Sequence, residues 1–90
     1  MDNKIIILKK LDTILRLTNW ESTWGSIRDN STYELEETKS LIRKLRKDDY
    51  ITVYRLGSKE VMPKDEEFGW DSGHRIHRSA EGDLFFLQGG

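Results

Sequence analysis

The chain has 90 residues, enough for one hydrophobic core and not two, and it is 36% hydrophobic and 34% charged with a net charge of −1. Disorder needs low hydrophobicity together with high net charge, so a folded domain is expected, and the near-zero balance removes the basic excess of a dedicated nucleic-acid binder. No cysteine is present, which excludes disulfides and thiolate metal sites.

The first apolar run, Ile5 to Leu8, is broken by Lys9 and Lys10. It is too short for a secretory signal and far from the ~20 apolar residues of a membrane span, so a soluble cytoplasmic protein without a membrane partner is expected. Over residues 3–18, Ile7, Leu8, Leu11, Ile14 and Leu15 recur at the spacing of a helix with one buried stripe, capped by Asp2 or Asn3. Ile5 and Ile6 fall partly off that stripe. They are either a greasy helix start or a contact with something beyond the core, such as another copy of the chain. Residues 19–30 place Trp20, Trp24 and Ile27 four and three apart, which permits a short second helix with both tryptophans in the core. Gly25 in its interior costs about 1 kcal/mol relative to alanine, so a loop with one helical turn is the alternative.

The best-marked stretch runs over residues 31–57. Ser31 and Glu34 have capping-box spacing, and Leu35, Thr38, Leu41, Ile42 and Leu45 form a core face that Asp48 and Asp49 interrupt. Glu34, Glu36 and Glu37 precede Lys39, Arg43, Lys44, Arg46 and Lys47, an order that suits the helix dipole and needs no ligand to explain it. Residues 50–56 then alternate with period two and meet a turn at Gly57 and Ser58, and residues 59–62 suit a returning strand. The stretch 63–73 holds the only proline and two glycines among charges and reads as a long exposed loop. Between Gly57 and Asp71 two lysines stand against five acids, a local charge of −3. Phe68 and Trp70 in this loop either fold back as a lid on the core or present an aromatic contact to a partner. Residues 74–79 alternate around Ile76 as a final strand, and residues 80–88 suit a short helix, capped by Ser79 and ended by Gly89 and Gly90.

Helix, short link, long helix and a hairpin with an extended tip follow the order of a winged helix. The passage LIRKLRKDDYI, residues 41–51, resembles the point where the third helix of that family turns through an acidic or glycine pair into the wing. The passage IHRSAEGDLFFLQGG, residues 76–90, is similar to the end of small bacterial winged-helix-like proteins, where the last wing strand meets a cap and a closing helix before Gly-Gly. The resemblance implies an α+β fold in one domain over residues 1–90: two or three N-terminal helices, a β-hairpin wing with a long tip, and a short C-terminal helix.

It also implies a DNA-associated module, a small transcriptional regulator, whose third helix enters the major groove while the wing touches phosphates. Here the helix brings Glu34, Glu36 and Glu37, and the wing brings Asp65, Glu66, Glu67 and Asp71, all of which repel phosphate. Duplex DNA would therefore be held by Lys39, Arg43, Lys44 and Lys47 on the helix and by Arg75 and Arg78 on the last strand. The alternative is a protein-interaction or self-association module on the same scaffold, using Ile5, Ile6, Phe68 and Trp70 to meet itself or another protein.

Catalytic and metal chemistry are not expected. His74 and His77 form an HxxH, but three apart on a strand they point to opposite faces, and no third well-spaced ligand accompanies them. The carboxylates lie in turns and loops with no nucleophile and base pair, and no GxSxG, P-loop or GxGxxG is present. A non-enzymatic domain without cofactor, metal or small-molecule substrate is the expectation.

Overall fold

A computed structural model describes residues 3–19 and 22–87. Asp2, Trp20, Gln88 and the closing Gly89-Gly90 pair, to which a cap, a core contact and a helix end were assigned from sequence, lie outside those residues. The order is α1 (Asn3–Leu15), α2 (Trp24–Asn30), α3 (Leu35–Lys47), β1 (Ile51–Val53), β2 (Ile76–Arg78) and α4 (Ala80–Leu87). The α+β class is therefore observed, with four helices around one antiparallel strand pair among the described residues.

Helix α1 stops at Leu15 rather than Thr18 because the chain tightens there. Leu17 N–H donates to Ile14 O at 2.9 Å and Thr18 N–H to Leu15 O at 3.1 Å, and the Thr18 hydroxyl takes the same Leu15 carbonyl at 2.6 Å. Helix α2 carries the capping box expected one element later. The Thr23 hydroxyl accepts from Ser26 N at 3.2 Å, and Ser26 Oγ accepts from Thr23 N at 3.0 Å. Gly25 is required by close approach: a Cβ there would stand 2.8 Å from Ser72 Cβ, and its N–H donates to Ser72 O at 3.0 Å.

Ser31 does not cap α3. Its hydroxyl accepts from Tyr33 N at 3.1 Å and bonds Thr38 Oγ1 at 2.7 Å, which leaves Glu34 as the N-cap without a side-chain bond. Leu35 begins the helix and is 47% exposed, whereas Thr38, Leu41, Ile42 and Leu45 are buried and Arg46 joins them. The end of α3 is a Schellman motif. Tyr50 N–H donates to Leu45 O at 2.9 Å and Asp49 N–H to Arg46 O at 3.2 Å, with Asp49 in the left-handed region at φ 65°.

Strand β1 pairs with β2 in the register Ile51↔Arg78, Thr52↔His77, Val53↔Ile76. The return expected over residues 59–62 pairs with β1 through a Tyr54↔Val61 bridge, with Arg55 N–H donating to Glu60 O at 2.8 Å and Met62 N–H to Val53 O at 2.9 Å. It lies on the opposite edge of β1 from β2, toward which Tyr54 N–H donates to Arg75 O at 2.9 Å, and its Val61 stays exposed while Ile76 and Val53 are sealed in the core. The loop between the paired strands, labelled the wing by its place alone, is the whole of residues 54–75. A third segment closes the other edge of β2: Ile76 N–H donates to Ser22 O at 3.0 Å, Trp24 N–H to His74 O at 2.8 Å, and Thr23 bridges Arg75.

The core gathers Leu11, Ile14 and Leu15 of α1, Trp24 and Ile27 of α2, the α3 face, Ile51, Val53 and Ile76 of the strands, and Met62 and Phe68 of the wing. Helix α4 starts where Ser79 accepts from Gly82 N at 3.0 Å and donates its own N–H to Tyr50 O at 3.0 Å. A Cβ on Gly82 would fall 2.0 Å from Tyr50 O, so glycine lets this helix dock. The docking also stacks Phe85 on Tyr50 at 4.7 Å between ring centroids.

Candidate interaction surfaces

The basic half of α3 meets the aromatic part of the wing, so the two sets of residues assigned to different partners form one structure. Trp70, held at φ 60°, packs edge-on against Trp24 at 4.8 Å and against Phe68 at 4.1 Å. Lys39 Nζ lies 5.4 Å and the Arg43 guanidinium 5.1 Å from the Trp70 ring centre, within cation–π range. Phe68 is 2% exposed and lies under the Arg46 guanidinium at 5.4 Å. Between the two readings of Phe68 and Trp70, this geometry places them as a lid. Phe68 has no surface to offer a partner, because burying a large ring in the core outweighs leaving it in water.

Carboxylates accompany four of the six cations assigned to DNA. Lys39 pairs with Glu36 at 3.5 Å, Arg43 with Glu67 at 3.4 Å, Lys44 with Asp48 at 2.9 Å and Arg78 with Asp83 at 3.1 Å. Lys47 and Arg75 are exposed and have no such pair among the described residues. Lys47 borders a cavity of about 360 Å³ with Arg43, Arg46, Lys64, Asp65, Glu67 and Phe68. Arg46 lies beneath it and donates from Nη2 to Pro63 O at 2.6 Å. Burial pushes the Arg46 guanidinium below the ordinary arginine value, and Glu67, Glu66 and Asp65 pull the other way. Arg46 and Lys64 were not among the assigned residues. The signal for Arg46 was its place four residues after Ile42, on the core side of α3.

Within the wing, Arg55 makes a two-pronged bond to Glu66 at 2.7 and 3.0 Å and pairs with Glu60 at 3.2 Å. These bonds hold the Glu66 carboxyl below the usual range and the Arg55 guanidinium above it. His74 and His77 do not converge. His74 is buried with Nδ1 2.9 Å from Tyr54 O and its ring against Phe68, while His77 packs on the Tyr54 ring. Among the described residues no three histidine or acidic side chains gather as metal ligands, and no helix is long and apolar enough to cross a membrane.

The other assigned residues lie on the far side of α3. Ile5, Ile6 and Ile7 are 52, 37 and 47% exposed on the first turns of α1, and Leu84 on α4 is 58% exposed. Helix α1 packs against α3 and α4. A cleft of about 400 Å³ runs between them, lined by Ile7, Leu8, Leu11, Tyr50 and Phe85, with Lys44 and Asp48 at its edge. Ile7, expected on the buried stripe of α1, is half exposed on its first turns instead, and Leu84 lies in a continuous apolar run, where periodicity does not mark the outward positions.

Comparison with protein-family models, with curated proteins and with solved structures finds no match to this chain.

Proposed function

We propose that residues 1–90 form a non-enzymatic, winged-helix-type interaction module of the cytoplasm that self-associates through the exposed aliphatic end of α1 and α4. The observation that carries this reading is the exposure of Ile5, Ile6, Ile7 and Leu84 on α1 and α4, the two helices whose Ile7, Leu8, Leu11 and Phe85 line an apolar cleft. The element order, the Schellman exit of α3 and the long wing support the winged-helix type. Each of the four side chains has about half its surface left to bury, so a symmetric pair gains roughly 6–12 kcal/mol counted over two copies. That is the same size as the roughly 4–15 kcal/mol that association costs, so a weak, concentration-dependent dimer is expected.

Light scattering from about 10 µM to 1 mM tests it, and the mean mass should rise with concentration. Ile6→Lys and Leu84→Lys should each return the protein to a monomer. A constant monomer mass, or association that survives both substitutions, refutes the proposal.

A second reading, a DNA-associated regulator, is favoured by one feature: Arg43, Arg46, Lys47 and Lys64 surround one cavity against only Asp65 and Glu67. It requires steeply salt-dependent, micromolar binding of nonspecific duplex that Lys39→Glu with Arg43→Glu abolishes. No binding at low salt removes it. The first reading is preferred because four of the six cations assigned to DNA already have carboxylate partners.

A further inference from the structure

Two cations, Lys59 and Arg75, stand together without a carboxylate partner among the described residues. Two adjoining cavities of about 470 and 400 Å³ share Ser58, Lys59 and Arg75, and no carboxylate lines either. The nearest acid along the chain, Glu60, is drawn away by Arg55, which also holds Glu66. Lys59 and Arg75 are exposed with no ion pair among the described residues. A pair of cations left open in this way favours an anion, and a guanidinium suits the two oxygens of a phosphate.

The second cavity has an aromatic wall. Tyr54 and His77 line it, with ring centres 4.8 Å apart and planes tilted by 51°. His77 Nε2 is turned into the protein, with no hydrogen-bond partner among the described residues, and the ring face is left to the cavity. Ser58 Oγ accepts from Glu60 N at 3.0 Å, so its hydroxyl hydrogen remains to donate.

We propose that this cleft binds a nucleotide, with the phosphate between Lys59 and Arg75 and the flat base against Tyr54 and His77. Aromatic stacking tolerates any base, so the site reads the phosphate and the ring together rather than a sequence. It stands apart from the α1 and α4 face and does not depend on self-association.

Calorimetric titration of the full chain with adenosine monophosphate, adenosine, inorganic phosphate and a short DNA duplex, in one low-salt buffer, tests it. The monophosphate should bind saturably at one site per chain, with adenosine and phosphate each weaker. Lys59→Ala and Arg75→Ala should each weaken the monophosphate about tenfold or more, while Lys9→Ala, at an exposed lysine of α1, leaves it unchanged. Both residues are exposed, so alanine there preserves the fold, which far-ultraviolet circular dichroism checks. Three outcomes overturn the proposal: no saturation by the monophosphate, equal weakening by Lys9→Ala, or binding of the duplex while the monophosphate is silent.

Discussion

Replacing Trp70 by alanine separates a docked wing from a free one. The ring makes two aromatic contacts, to Trp24 and Phe68, each contributing about 0.5–1.5 kcal/mol beyond area burial. It also receives Lys39 and Arg43 on its face, each contributing about 0.5–1 kcal/mol at a partly exposed site. Their loss together costs roughly 2–5 kcal/mol, a large share of the roughly 5–15 kcal/mol that holds a domain folded. At about 3 kcal/mol the melting temperature of a domain this size falls by roughly 12–24 °C. Urea unfolding followed by circular dichroism measures the change, and Trp70→Phe, which keeps a ring in place, should lose less than half as much. A double-mutant cycle with Arg43→Ala should return a coupling of about 0.5–1 kcal/mol. A loss below about 1 kcal/mol with no coupling would refute the docking and return Trp70 to the role of a partner contact.

Three further outcomes follow from the geometry. Gly82→Ala places a Cβ against the Tyr50 carbonyl and should release α4, seen as lost helicity and a melting transition lower than that of Gly57→Ala, where space is open and only the positive φ resists. Glu66 should titrate below its ordinary value of 4.5 in a carboxyl NMR titration, and Arg55→Gln should bring it back; because the folded value is the lower one, this bond's stabilisation is present above the unfolded value and is lost as pH falls through the folded one. Burial, with Arg75 nearby, pushes His77 below its ordinary 6.5, so the unfolded chain binds the proton first; urea stability should fall as pH drops from about 6.5 toward the folded value, and His77→Gln should flatten that slope.

Features set by neighbours in sequence were legible before the structure. The face of Thr38, Leu41, Ile42 and Leu45, the break at Asp48 and Asp49, the Ser79 cap and the off-stripe Ile5 and Ile6 all follow from spacing, turn chemistry and helix period. What escaped depends on partners far along the chain. Gly25 reads as a weakness in a helix until Ser72 is placed against it, and the hairpin over residues 50–62 reads as the whole ladder until β2 is placed on the other edge of β1. Ser31 and Glu34 fit a capping box equally well on paper, but Thr38 and Tyr33 take the serine hydroxyl. In the candidate site, the cations of α3 were visible as a patch. Their neutralisation was not, because Glu67 reaches Arg43 from the wing, and the open pair of Lys59 and Arg75 exists only once Arg55 has gathered Glu60 and Glu66.

The backbone bonds from residues 22–25 to residues 72–76 bear on how the chain is made. This segment completes its hydrogen bonding only with strands about fifty positions later, so during synthesis Trp24 and Ile27 have no lasting shelter until Ile76 has emerged. Helices α1 to α3 can form early, yet the core closes in a single late step, and a chain halted within the wing would leave that apolar surface open to aggregation or to chaperones.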